Sequence, residues 1–187
     1  MAKKPTRERI LEAVVELHEE VGPADTTITA IADRAGVQRL TVYRHFPDER
    51  ALVHGCSAHW SRQHPPPDPS AWAGIEDPRR RLGVALRSLY RYFEGGEEML
   101  AQVLRDEDKV PALQEVLAPF WDYMAETAGG LAAGWGTDQG TQRLVRAAVG
   151  HALRFSTWRS LTREGLSSQE AAELMADFVS GMAEAPS

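Results

Sequence analysis

Residues 27–46 read TITAIADRAGVQRLTVYRHF, two short stretches of helical periodicity with one glycine between them. Thr27 is a candidate N-cap, and Ile28, Ile31, Ala32 and Ala35 recur on one face until Gly36 stops the helix. The second stretch resumes at about Gln38 and runs to Phe46, where Pro47 ends it and Asp48 caps the next helix. At ~100° per residue, Val42 and Phe46 fall together on a core-facing side. Leu40, Thr41 and Arg44 then group outward, with Tyr43 and His45 on the two flanks of that outward face. From Arg34 to Pro47 there is no Asp or Glu, although the chain carries a formal charge of -6.

Neighbouring segments complete a small core. A first helix is predicted from about Thr6 to Val21, with Ile10, Ala13, Val14 and Leu17 on one face and Gly22-Pro23 at its end. A fourth runs from Asp48 to about Arg62. Short helices of this length are not stable alone in water, so their apolar faces must meet. Two helices joined by a tight glycine turn, the second of them basic, form a helix-turn-helix arrangement. The outward face of the second suits a DNA major groove. Arg44 can donate a bidentate pair to guanine, Thr41 and Leu40 offer methyl groups to thymine, and Tyr43 and His45 can donate to phosphates on either side. A carboxylate on that face would repel the phosphates, which accounts for the exclusion of acid.

The whole-chain numbers set the frame. With 187 residues, 43% of them hydrophobic, the chain has the composition of an ordinary globular protein. Through Trp60 there are eight Lys or Arg against nine Asp or Glu, and thirteen against eighteen beyond it, so any basic surface is local. The N-terminal stretch is amphipathic and no apolar run reaches membrane-spanning length, from which a cytoplasmic protein without membrane contact is expected. The single cysteine, Cys56, excludes an internal disulfide and a multi-cysteine zinc site. His54, His59 and His64 recur every five residues, roughly 140° apart on a helix by the ~100° rule, and so share no metal-binding face. No glycine-rich phosphate loop, Gly-x-Ser-x-Gly or His-Glu-x-x-His occurs, and the expectation is neither enzyme nor metal or cofactor binder.

The stretch from Ile10 to Val53, ILEAVVELHEEVGPADTTITAIADRAGVQRLTVYRHFPDERALV, resembles the DNA-binding domain of the tetracycline-repressor-like (TetR) family of bacterial transcription regulators. The resemblance is carried by Gly22, Thr26-Thr27-Ile28, IADRAGV across the turn, TVYRHF, and ALV in the fourth helix. It implies that Thr27 binds phosphate at a helix N-terminus and that Gln38, Arg39, Leu40, Thr41 and Arg44 approach base edges. It further implies that Tyr43 and His45 position the backbone, and that Lys3, Lys4 and Arg7 form an arm reaching the backbone or minor groove. Two positions depart from the family. Leu40 stands where a small residue, often Gly, is usual, which should change base preference. Glu49-Arg50 stands where a Lys is common, leaving Arg50 as the candidate for the same phosphate.

Beyond Trp60 the pattern stays helical, so the fold class is all-α: a helix-turn-helix domain over residues 1–60 and a larger helical domain over 61–187. RQHPPPDPSAWAGIED is expected to be a loop. Helices are expected from Asp77-Pro78 to about Phe93, from Glu97 to about Arg105, from Pro111 to about Ala133 with a bend at Pro119, from about Asp138 to Leu161, and from Ser168 to Met182. Ser167 and Glu170 have capping-box spacing. The family resemblance implies that the last two helices pair with those of a second copy. Leu144, Ala148, His151 and Phe155 form one stripe, and Ala171, Leu174, Met175, Phe178 and Met182 the other; each must be buried, in the chain's own core or against a partner. The family also implies a small-molecule effector in the second domain, with Tyr90, Phe93, Met99, Trp121, Met124, Phe155 and Trp158 as candidate pocket residues. The expected function is a repressor released from a palindromic operator by an inducer. The alternative is a helical module that binds a small molecule or protein without binding an operator.

Overall fold

The computed structural model describes residues 4–135 and 138–184. They form eleven α-helices and one 3-10 turn, Pro23–Asp25, with no strand among the described residues. Two compact units emerge: residues up to 65 together with 96–119, and residues 66–95 together with those from 120 on.

The first unit contains α1 (Thr6–Glu20), α2 (Ile28–Ala35), α3 (Arg39–His45), α4 (Glu49–Gln63), α7 (Glu97–Asp106) and the first part of α8 (Pro111–Leu131). Ile10, Val14 and Leu17 of α1, Ile31 and Ala35 of α2, Val42 of α3, Phe46, and Leu52 and Cys56 of α4 share one buried core. Val53 of α4 lies in a second cluster with Val110, Leu113 and Leu117. The fully buried Asp106, at the end of α7, closes the unit. It accepts from Arg105 Nε at 2.9 Å, Lys109 Nζ at 3.0 Å and the Ala24 backbone N–H at 3.1 Å, tying α7 to the turn after α1. The Arg105 guanidinium, helped by Lys109 and Ala24, holds this carboxyl well below the usual carboxylate range. Gly22, at φ 93°, sits so near this group that a Cβ there would lie 2.6 Å from Asp106 Oδ2. That is why the turn requires glycine.

The second unit holds α5 (Ser70–Ala73), α6 (Pro78–Gly95), the remainder of α8, α9 (Gln139–Ala152), α10 (Phe155–Arg163) and α11 (Ser168–Glu184). Its core joins Leu82, Leu86 and Leu89 of α6 with Val145 and Val149 of α9 and Ala172, Met175, Ala176 and Val179 of α11. The capping box is formed: Ser167 Oγ accepts from Glu170 N at 3.2 Å, and Glu170 Oε2 accepts from Ser167 N at 2.8 Å.

Two expectations are corrected. The Pro-rich linker contains α5, nucleated where Asp68 accepts from Ser70 N–H at 2.9 Å, and it places the Trp72 ring in the interior. The helix expected over 138–161 is broken at Leu153-Arg154, where Arg154 is extended at φ -75° and ψ 138°. Other donors replace the lost ladder there. Arg154 N–H and the Thr157 hydroxyl reach His151 O at 3.1 and 2.6 Å, and Tyr90 Oη donates to Ala152 O at 2.7 Å. Helix α8, by contrast, runs through Pro119 without ending there.

Candidate nucleic-acid interface

The turn between α2 and α3 is built from local chemistry. Thr27 Oγ1 accepts from Ala30 N–H at 3.1 Å, capping α2, which leaves its own hydroxyl proton free to donate outward. At the other end Gly36 is left-handed at φ 62°, and Gly36 N–H and Val37 N–H reach Asp33 O and Ala32 O at 3.1 and 2.9 Å. This 5→2 and 6→1 pair is a Schellman closure, and it turns the chain directly into α3. Arg9 of α1 holds the turn from behind, its guanidinium donating to the carbonyls of Ala35 and Gly36. Arg34 donates to Glu16 at 3.1 Å and Glu20 at 2.7 Å, so it fastens α2 to α1 and is not part of the outward face.

Helix α3 is anchored by Val42 and Phe46, both essentially inaccessible. The Phe46 ring lies so close to α4 that a Cβ on Gly55 would meet it at 2.7 Å. With that side fixed, Leu40 projects into solvent at 76% exposure, Tyr43 is 43% exposed, and Arg39 and Arg44 are exposed with no carboxylate paired to them among the described residues. Thr41 and His45, one turn apart on the same side of α3, are half-buried. Gln38 caps α3 through its backbone alone, its carbonyl accepting from Thr41 N–H at 2.8 Å, and its exposed side chain makes no capping bond. Arg39, Leu40, Thr41, Tyr43, Arg44 and His45 therefore occupy one surface.

The remaining candidates fall differently. Lys3 lies outside the described residues. Lys4 is paired with Glu12. Arg7 is not in an arm: α1 already begins at Thr6, and the Arg7 guanidinium sits 5.0 Å over the Phe46 ring, a cation–π contact at the foot of α3. Arg50 is exposed but engaged, its Nε donating to Glu115 of α8 at 2.8 Å, and His54 Nε2 lies 3.0 Å from the same carboxylate. Sequence reasoning did not anticipate Glu115, and it stands 65 positions from Arg50.

Besides Asp106, two buried groups of this unit, His18 and Cys56, have shifted protonation. Burial lowers the His18 pKa to about 4, the Asp106 charge opposing that shift, and His18 Nδ1 faces Cys56 Sγ at 3.6 Å. Burial also pushes the Cys56 thiol up to about 12, which makes it an inert packing group.

In the second unit, four of the candidate pocket residues pack on one another. Phe93 meets Phe155 edge-on with centroids 5.5 Å apart, and Trp158 lies 5.9 Å from Phe93 and 5.4 Å from Phe155. Tyr90 is buried beside them. Trp121 is 41% exposed, Met124 is half-buried, and Met99 belongs to the first unit. None of the seven lines a cavity of about 420 Å³ in this unit, whose walls include Trp72, Arg81, Tyr123, Glu126 and Thr127. Of the stripe residues, Ala148 is buried within the chain, Phe155 and Met182 are half-buried and His151 is exposed. Leu144, Leu174 and Phe178 are 43, 48 and 52% exposed, respectively, so these stripes are only partly covered by the chain's own core.

Residues 10–56 match the profile of the family described as "Bacterial regulatory proteins, tetR family". The uncharacterised HTH-type transcriptional regulator TtgW of Pseudomonas putida is 42% identical over 62 residues, 33% of this chain and 45% of that protein. The HTH-type transcriptional repressor KstR of Mycobacterium tuberculosis is 35% identical over 91 residues, 48% of this chain and 41% of that protein. The matched segments thus span less than half the length of these curated relatives. Over nearly the whole chain the fold is that of solved structures such as a TetR-like transcriptional regulator from Rhodococcus sp. RHA1, with TM-score 0.65, 18% identity, and coverage of 98% of this chain and 96% of that one. The fatty acid degradation regulator FadR from Bacillus halodurans gives TM-score 0.64 and 16% identity, covering 96% of each.

Proposed function

We propose that this chain, whose residues 10–56 match the tetR family of bacterial regulatory proteins, is a member of that family and a sequence-specific DNA-binding regulator whose α3 enters the major groove. One observation carries the reading: an acid-free helix face, fixed by Val42 and Phe46, that holds Leu40, Arg39, Tyr43 and Arg44 in solvent. An exposed leucine flanked by unpaired arginines is costly in water but suited to a groove lined by thymine methyls, guanine edges and phosphates. Thr27 adds a hydroxyl donor at the N-terminus of α2, where a phosphate is favoured.

Two copies would pair through α9 and α11. Helix α11 carries exposed Leu174 and Phe178 and no Lys or Arg, whereas α9 carries Leu144 with Arg143 and Arg146 and no acid. Such faces complement each other across a two-fold axis. The pair would present two copies of α3 about one helical turn of DNA apart, ~34 Å. A small-molecule effector favouring an arrangement that does not bind DNA would release the operator, to the extent of its differential affinity. No described helix is long and apolar enough to cross a membrane.

The test is selection of bound fragments from a pool of random duplexes at moderate salt. The expected result is an enriched motif with two inverted half-sites. Recovery of no motif from properly folded protein would overturn the proposal.

A further inference from the structure

The cavity of the second unit contains a cation whose neighbours leave it incompletely satisfied. Arg81, on α6, extends its guanidinium to three backbone carbonyls: Nη1 donates to Ile75 O at 2.9 Å and to Glu76 O at 3.3 Å, and Nη2 donates to Ala133 O. These contacts fix the group in place but supply no negative charge, and among the described residues no carboxylate pairs with it. Its Nε is buried without a hydrogen-bond partner. Thr127, also a lining residue, is 7% exposed, and its Oγ1 is likewise buried without a hydrogen bond. The Tyr123 hydroxyl beside it gives its proton to Pro67 O at 2.9 Å. Two unsatisfied buried donors therefore border one cavity.

The rest of the wall is apolar or aromatic: Trp72, Pro69, Ala73 and Ala133, with Tyr123. Glu126 is the one acid among the lining residues, and it is exposed. A volume of about 420 Å³ lies in the range of small-molecule sites. We infer that this cavity binds a small aromatic carboxylate, its carboxyl group accepting from Arg81 Nε and Thr127 Oγ1 and its ring lying against Trp72 and Tyr123. Arginine prefers a planar bidentate acceptor, and a carboxylate supplies the missing charge as well as the missing acceptors. A neutral ligand of the same shape would leave the cation uncompensated. Glu126 at the solvent side selects for a single negative charge, because a second would meet it.

This assignment deepens the regulator reading only if occupancy reaches DNA, so binding is measured first on the full chain without DNA. The probes are 2-naphthoate and its neutral isostere 2-naphthamide, titrated calorimetrically. Naphthoate is expected to saturate the protein below millimolar concentration and naphthamide to bind at least tenfold more weakly. Thr127→Val, which keeps the shape and removes the hydroxyl, should weaken naphthoate severalfold, and Glu126→Gln should tighten it severalfold. Opposite signs from two lining residues exclude a general loss of folding. Equal binding of acid and amide, no saturation by naphthoate up to several millimolar, or the same affinity in both variants as in the parent would overturn the assignment. If naphthoate binds as expected but leaves operator affinity unchanged, the site stands and its coupling to the regulator function fails.

Discussion

Among the helices that expose large apolar side chains, α3 and α11 carry opposite charges. On α3, Leu40 stands in solvent among Arg39 and Arg44, within a stretch from 34 to 47 that has no acid. On α11, Leu174 and Phe178 stand beside Glu173 and Asp177, on a helix with no Lys or Arg. Where exposed apolar side chains share a face with charges of one sign, that charge distinguishes the partners the face can meet. The first face attracts a polyanion and the second repels one. The α11 face accordingly suits a protein surface, and in the proposed pairing the basic residues of α9 on a second copy would supply its complement.

The comparison breaks first at Phe178. If α11 is the pairing face, Phe178→Asp adds an unpaired charge to a desolvated contact and should weaken the dimer by about 4 kcal/mol. Sedimentation should then show monomer at micromolar concentration. The same α3 should still be present, so a single half-site should be bound only weakly. An unchanged dimer in the variant would move the pairing surface elsewhere.

Acid should separate the two faces. His18 is buried under the α1 to α4 core with its pKa lowered to about 4, against an ordinary 6.5. A histidine whose folded pKa is depressed is protonated more readily in the unfolded chain. Its contribution is therefore whole above about pH 6.5 and is lost as pH falls from there toward 4. By pH 5 the first unit should lose about 2 kcal/mol of stability, and with it the support of α3, while the α11 face is untouched by this group. Denaturant titrations at pH 7.5 and pH 5 measure the loss, and His18→Leu should flatten the difference. A pH-independent parent would show that His18 is not desolvated as the structure has it.

A smaller effect sharpens the first face alone. Thr27→Ala removes the cap on Ala30 N–H and should cost about 1 kcal/mol of stability. Thr27→Ser keeps both cap and hydroxyl donor, so it should restore stability and DNA affinity together. If Thr27→Ser restores stability but not affinity, the methyl group and not the hydroxyl meets the DNA.

The α3 face was legible because its determinants are neighbours in sequence. Thr27, Gly36 and Asp48 each act within four residues of where they stand, through capping or a left-handed turn, and Val42 and Phe46 are recognisable as a pair by helical periodicity. What was not legible joins distant positions. Asp106 binds Ala24 N–H across 82 residues, Arg50 meets Glu115 across 65, and Arg81 reaches Ala133 across 52. No local rule pairs them. The aromatic candidates of the second unit illustrate the same limit: helical spacing placed Phe93, Phe155 and Trp158 inward but could not distinguish packing on one another from lining a cavity. The break at Leu153-Arg154 was hidden because neither residue forbids helix, and the substitute donors, Thr157 and Tyr90, are known only from the folded chain.

The central claim is that α3 reads sequence through Arg44 and its neighbours. Its most direct measurement is the affinity of the full chain for a duplex bearing the selected motif, relative to a scrambled duplex of equal length and charge, at one fixed salt concentration. The account predicts a ratio of roughly 10³ or more, reduced by about 1–3 kcal/mol in Arg44→Ala through weaker binding to the motif while the scrambled duplex is bound nearly as before. Equal affinity for the two duplexes, or an Arg44→Ala loss shared equally by both, would contradict it.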